Sequence, residues 1–180
     1  PPAASPVEYL EALGALAWQP LLLHAVHVTA TDIDHMARRG VSVAHCPRSN
    51  ARLSGGVAPV PELLSEGIPV GLGTDSLASA PTLDLWDEMR AALVVHAGRL
   101  APVEVLEMAT LGGARALGLA DQVGSLEVGK RADLIAVSAG AVMASDPAGS
   151  LIAATRAADV LLTLVEGELR HRRLEGVPCA

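Results

Sequence analysis

Val70-Gly71-Leu72-Gly73-Thr74-Asp75-Ser76-Leu77-Ala78-Ser79 is the stretch whose reading decides the fold. Val70 and Leu72 supply the apolar residues of a short buried strand. Gly71 and Gly73 let neighbouring backbone come close, and Asp75 falls at the strand's C-terminal tip. In a barrel of parallel strands that tip is where chemistry sits. The same carboxylate also reads as the cap of the following helix or the anchor of a loop. The two strands before it tilt the reading toward a site.

Working back toward the N-terminus, Leu21-Leu22-Leu23 is an apolar run closed by His24, and Val41-Ser42-Val43-Ala44 is a second closed by His45. Thr29 with Asp32 opens a helix that points Ile33, Met36 and Ala37 inward, and Gly40 ends it. Pro59 to Glu66 is a further helix, stopped by Gly67, and residues 46–56 read as a loop through Pro47, Asn50 and Gly55-Gly56. Ahead of all these, Ser5-Pro6-Val7-Glu8 combines a cap, a proline in the first turn and a glutamate three residues on, which predicts a helix from there to about Ala17. After Asp75 the spacing predicts a helix over Leu83 to His96, with Leu85, Met89, Ala92 and Leu93 on one face, and another from Pro102 to about Leu117. Strands alternating with helices through short connections imply a parallel sheet, as a partial barrel or a doubly wound sheet.

The texture changes near Gly118, so the chain divides into 1–118 and a β-rich segment, 119–180. Strands are expected over Gly124 to Gly129 and Ala132 to Val137. A short helix is expected within Asp146 to Ala158, and a hairpin from Val160 to Arg172 turning at Gly167.

With 180 residues the chain holds one sizeable core but falls short of the roughly 250 residues of a complete eight-unit barrel. Thirteen basic residues against twenty acidic give a net charge of −7, and no basic patch suggests a nucleic acid partner. With 51% hydrophobic residues but no run of 18 apolar positions, no membrane partner is expected either. Pro1 to Pro6 carries no basic region and no apolar core follows, so the expected location is cytoplasmic. Cys46 and Cys179 fit no metal or redox spacing, which suits a reducing compartment and a packing role for Cys46.

His24, His45 and Asp75 end three consecutive strands, and parallel strands bring such tips to one mouth. Two imidazoles and a carboxylate are ingredients of a hydrolytic metal centre, although a histidine at a strand end also serves structure alone. His27 lies an odd number of positions from His24, so His24, directly after the apolar run, is preferred. Ser49 and Asn50 follow His45 and read either as turn formers or as contacts to a polar substrate. His35, His96 and His171 read as solvated or cap-side, and Trp18 and Trp86 as core.

Several motifs together carry a family resemblance. They are L-H-A-V-H (Leu23 to His27), A-H-C-P-R-S-N (Ala44 to Asn50), A-P-V-P-E-L (Ala58 to Leu63), G-L-G-T-D-S (Gly71 to Ser76) and V-G-S-L-E-V-G-K-R-A-D-L (Val123 to Leu134). In order and spacing the chain resembles the amidohydrolase superfamily, in its branch of metal-dependent deaminases and chlorohydrolases. The resemblance implies an α/β fold: the C-terminal half of a (β/α)8 TIM-type barrel, strands six to eight, plus part of a small β-sandwich. It implies hydrolytic deamination of an adenine-type nucleoside or related heteroaromatic ring, with dechlorination as the alternative. The implied cofactor is a divalent metal, zinc foremost, with iron, manganese or nickel as alternatives. Asp75 would bind the metal and handle the proton of the attacking water, His24 would face the water and substrate, and His45 would lie at the substrate pocket. Family members draw further ligands from an H-x-H pair and from a histidine with a nearby glutamate. Neither H-x-H nor H-x-x-E occurs in this chain. The expected partners are therefore a small-molecule substrate and either an N-terminal half-barrel or further copies of the chain. An inactive half-barrel that needs such a partner is the competing expectation.

Overall fold

The computed structural model describes residues 5–53, 55–138 and 142–173. Pro1 to Ala4, the last residues of the 119–180 segment and Cys179 lie outside them.

Three short strands, β1 (Leu21–Leu23), β2 (Ser42–His45) and β3 (Val70–Leu72), form a parallel sheet in the order β1-β2-β3. Leu22 lies opposite Val43, and Val43 opposite Val70. The strands fall on the three apolar runs, except that β3 stops at Leu72 rather than reaching Asp75. Gly73 extends the ladder by one bond to the His45 carbonyl, and the chain then leaves the sheet.

Helix α1 (Pro6–Ala12) has the expected capping box, and the Ser5 hydroxyl also donates to Asp32 of the next helix. It ends one turn earlier than expected, because Gly14 adopts φ 72° and the chain tightens into a 3-10 turn over Ala15–Trp18. That turn leaves Trp18 87% exposed, which corrects its assignment to the core. Helix α2 (Ala30–Arg39) follows expectation, capped by Thr29, closed by Gly40 at φ 67°, with Ile33 and Met36 buried.

Residues 47–53, read as loop, form a helix, α3 (Pro47–Leu53). Its polar residues Arg48, Ser49 and Asn50 carry no apolar period, and their contacts to other elements hold it instead. Helix α4 (Val60–Ser65) leads into β3, and α5 (Leu85–Val95), capped by Asp84, buries Trp86, Met89 and Ala92.

The single helix expected from Pro102 to Leu117 is two, α6 (Pro102–Met108) and α7 (Leu111–Ala116). Thr110 breaks the run at φ −128° and ψ −102°, its hydroxyl turned back to the Leu106 carbonyl. The break seats Gly112 and Gly113 on β3. A Cβ on Gly71 would stand 2.9 Å from the Gly113 Cα, and one on Gly112 would stand 2.9 Å from the Val70 carbonyl oxygen, so only glycines permit this approach.

Beyond α7, residues 124–129 form turns rather than a strand. Gly124 and Gly129 hold φ 97° and 96°, and Leu126 and Val128 face solvent. A second sheet follows, antiparallel, from β4 (Leu134–Val137), β5 (Val160–Val165) and β6 (Glu168–Arg172) in that order. Glu166 and Gly167 both have positive φ and make the two-residue turn that suits a twisted hairpin. Helix α8 (Pro147–Ala154), capped by Asp146, lies between β4 and β5 as expected. The apolar core runs from Val7 and Leu16 through Val43 and Val70 to Trp86, Val105, Met108 and Ile152.

Candidate active site

His24 follows β1 directly, in a left-handed conformation at φ 70°, and Asp75 lies three residues beyond β3, also left-handed at φ 58°. L-residues adopt this region at a cost, so the surrounding contacts must hold both. They converge: His24 Nε2 stands 3.8 Å from Asp75 Oδ2, with both side chains about a third exposed.

Two residues of the first turn of α3 hold the pair. The buried Ser49 hydroxyl donates to Asp75 Oδ2 at 2.6 Å. The amide oxygen of the buried Asn50 meets His24 Nδ1 at 2.8 Å. A carbonyl oxygen only accepts, so Nδ1 carries a proton there and Nε2 is the ring nitrogen that faces Asp75. The Ser49 hydroxyl, seconded by that of Ser79, holds the Asp75 carboxyl below its ordinary value and keeps it ionised at neutral pH. Helix α5 is capped by Asp84, so Asp75 does not serve as its cap.

His45 takes a different position. Its ring is buried, and its Nε2 lies 3.3 Å from Nε2 of His96, the residue that closes α5. Burial, reinforced by the His96 and His24 rings, pushes the His45 imidazole down to about 3. Burial lowers His96 as well, so both rings are held neutral and a single N–H lies between the two Nε2 atoms. His96 is therefore cap-side but buried, which corrects its reading as solvated. His27 is exposed, and His171 lies on the exposed strand β6. Cys46 is buried as a packing residue, its thiol pushed up to about 11 by burial and by the nearby Asp75 and Glu88 carboxylates.

An apolar cavity of about 440 Å³ opens beside His24, walled by Val7, Leu10, Leu22, Val26, Asn50 and others. That volume suits a small organic ligand. A larger groove of about 640 Å³ runs between α7 and the second sheet, where Asp133 is the ionisable residue among its lining, and it offers no comparable chemistry.

A family model described as the amidohydrolase family matches residues 3–170. The chain belongs to the amidohydrolase family. The 5-methylthioadenosine/S-adenosylhomocysteine deaminase of Moorella thermoacetica is 41% identical over 181 residues, covering 96% of this chain and 42% of the relative. The S-triazine hydrolase of Gordonia rubripertincta is 37% identical over 182 residues, covering 95% of this chain and 38% of the relative. Among solved structures, an adenosine deaminase from Xanthomonas campestris with bound zinc matches at a TM-score of 0.83 and 35% identity, over 93% of this chain and 40% of that one. The chain thus spans about two fifths of the length of these relatives.

Asp75 is an ionised carboxylate with an imidazole 3.8 Å away, a donor set suited to a divalent cation. Among the described residues, however, no group of three or more His, Cys, Asp or Glu side chains could hold a metal ion. A protein metal centre of this kind takes at least three protein ligands, so the donors present fit a share of one. Sequence reasoning missed the His45–His96 pair and the contacts of Arg48. Arg48 stands inside the A-H-C-P-R-S-N motif, but nothing in the sequence tells which helix it reaches.

Proposed function

We propose that the complete protein carrying this chain is a metal-dependent hydrolase that deaminates an adenine-type nucleoside or a related heteroaromatic ring. One observation carries the reading: His24, in the wall of a cavity, and Asp75, each just beyond a strand of one parallel sheet, stand 3.8 Å apart, each held by its own α3 partner. The family membership and the deaminase relatives support it. In this proposal β1, β2 and β3 are strands six, seven and eight of a (β/α)8 barrel, residues 1–118 belong to that barrel, and residues 119–180 contribute to a small β-sandwich.

A bound divalent metal, zinc by analogy with the Xanthomonas relative, supplies Lewis acidity that brings the ionisation of water toward neutral pH. Asp75 would be this chain's donor to that metal and would take up the proton given by the attacking water. His24, protonated on Nδ1 by virtue of Asn50, presents Nε2 to the same place and orients substrate or water. General acid and base work of this kind contributes about a hundredfold to ten-thousandfold. Ser49 and Asn50 serve as positioning groups here, with a direct substrate contact left to the Asn50 face of the cavity. His45, facing His96, lines a smaller cavity of about 240 Å³ together with Asn50, and in this proposal lies at the substrate pocket.

The remaining metal ligands come from the rest of a barrel, on the same polypeptide or on an associated chain. The sheet order leaves the outer edges of β1 and β3 without a strand neighbour among the described residues, and Leu21 and Leu23 on β1 are exposed, as edges awaiting further strands would be.

The S-triazine hydrolase relative favours a second reading, displacement of a ring substituent other than an amine. Ammonia and chloride release by the complete protein across adenosine, S-adenosylhomocysteine, aminofutalosine, guanine and chlorotriazines separates the two. Ammonia from a purine nucleoside is the expected result, and chloride without ammonia would overturn it in favour of the second.

A further inference from the structure

Ser49 and Asn50 can orient Asp75 and His24 only if the first turn of α3 is itself held in place. The brace comes from α5. Glu88 is fully buried, and its Oε2 accepts from the backbone N–H of Arg48 at 3.2 Å. Its Oε1 lies 3.5 Å from the Arg48 guanidinium, which is steadied in turn by Thr82 at 3.0 Å. Helix α5 is anchored at its far side by Arg90, which donates to the Ile152 and Thr155 carbonyls at 2.8 and 2.6 Å. A carboxylate in such a place is an expensive way to fill space, since burial disfavours its charge and an apolar residue of the same volume packs as well. What an apolar residue lacks is an acceptor for the Arg48 amide.

We propose that Glu88 is a positioning residue of the candidate active site, fixing the Arg48 amide and thereby, one and two residues on, the Ser49 and Asn50 side chains that orient Asp75 and His24. Its catalytic consequence rests on the proposed function, but its geometric consequence does not. The decisive property is reach rather than charge. Glutamine keeps the length and an accepting oxygen, whereas aspartate keeps the charge and is one methylene too short to reach Arg48.

The test compares E88Q and E88D in the complete, zinc-loaded protein, reading kcat and KM on whichever compound of the panel above the parent turns over and the 15N signals of the His24 imidazole under selective histidine labelling. E88Q is expected to keep at least about a third of kcat and an unchanged His24 signal. E88D is expected to lose about tenfold to a hundredfold in kcat, with KM altered less than about threefold, because small misplacements of reacting groups have effects of that size. Its His24 signal moves toward a mixture of tautomers. Should E88D fail to fold, E88M, which fills the volume without an acceptor, takes its place with the same expected result. Two outcomes overturn the proposal: E88D and E88M both within twofold of the parent, or E88Q falling as far as E88D. If no substrate is turned over at all, the proposed function fails while the imidazole signals still decide the role of Glu88: unmoved in E88D, they overturn it.

Discussion

Asn50 Oδ1 lies 2.8 Å from Nδ1 of His24 and so determines which ring nitrogen carries the proton. The contact also holds the ring while its backbone sits at φ 70°. Asn50→Leu removes the acceptor and is expected to lower kcat by about tenfold to a hundredfold, in line with the loss of groups that orient a functional histidine. Steady-state kinetics with His24 imidazole NMR checks this; unchanged kcat together with an unchanged tautomer would refute it.

Asp75→Asn keeps the shape that receives the Ser49 hydroxyl but removes the charge. Zinc retained after dialysis should fall, and kcat should drop by at least about a hundredfold. Because the hydroxyls of Ser49 and Ser79 hold the Asp75 pKa below 3.8, the parent carboxylate stays charged as pH falls to that value. Loss of activity between pH 7 and 5 must then come from another group, and a pH–rate profile with metal analysis at each point checks both statements.

The 180-residue chain purified alone is expected to bind zinc weakly and to release no ammonia. One carboxylate with one adjacent imidazole leaves a cation mostly hydrated, and the open sheet edges at β1 and β3 cannot exclude water from the site. Calorimetric zinc titration and sedimentation of the same sample give the answer. Tight one-to-one binding with turnover by a monomer would contradict it.

The His45–His96 pair makes acid stability a separate test. Folded His45 has its pKa pushed from 6.5 to about 3, so between these values the unfolded chain binds a proton that the folded chain refuses. Stability is therefore complete above about pH 6.5 and declines as pH falls toward 3. At pH 5 the His45 contribution to this loss is roughly 2 kcal/mol, at about 1.4 kcal/mol per pKa unit. Urea unfolding of the parent and of His45→Gln at pH 5 and 7.5 should show a smaller pH dependence in the variant. Equal dependence would mean that His45 is not held neutral.

The parallel sheet was legible because its strands are apolar runs, its helices carry caps such as Thr29, and Gly40 and Gly67 mark their ends. The meeting of His24 with Asp75 could be foreseen, since strand tips of one parallel sheet must lie together. Helix α3 could not: Arg48, Ser49 and Asn50 are mediocre helix formers, and the bonds to Glu88, Asp75 and His24 that hold them connect residues 26 to 40 positions apart. At the break at Thr110 the Gly112-Gly113 pair marks a close approach or a turn in the sequence, but that the approach is to β3 and divides the helix is set by tertiary contact. Residues 124–129 alternate like a strand, yet two glycines at positive φ turn them. Trp18 and His96 were exchanged in effect, the apolar ring lying outside and the imidazole within.

The left-handed backbone at His24 and Asp75 sets the molecule's durability against its chemistry. Glycine tolerates that conformation without strain, so at these two positions it would relax the local backbone in exchange for the imidazole and the carboxylate. A laboratory search that rewarded heat resistance alone would have reason to erase both side chains, and with them the two Nδ1 and Oδ2 contacts to α3. Retaining them in a more robust version of the protein therefore requires selecting for turnover and endurance at once.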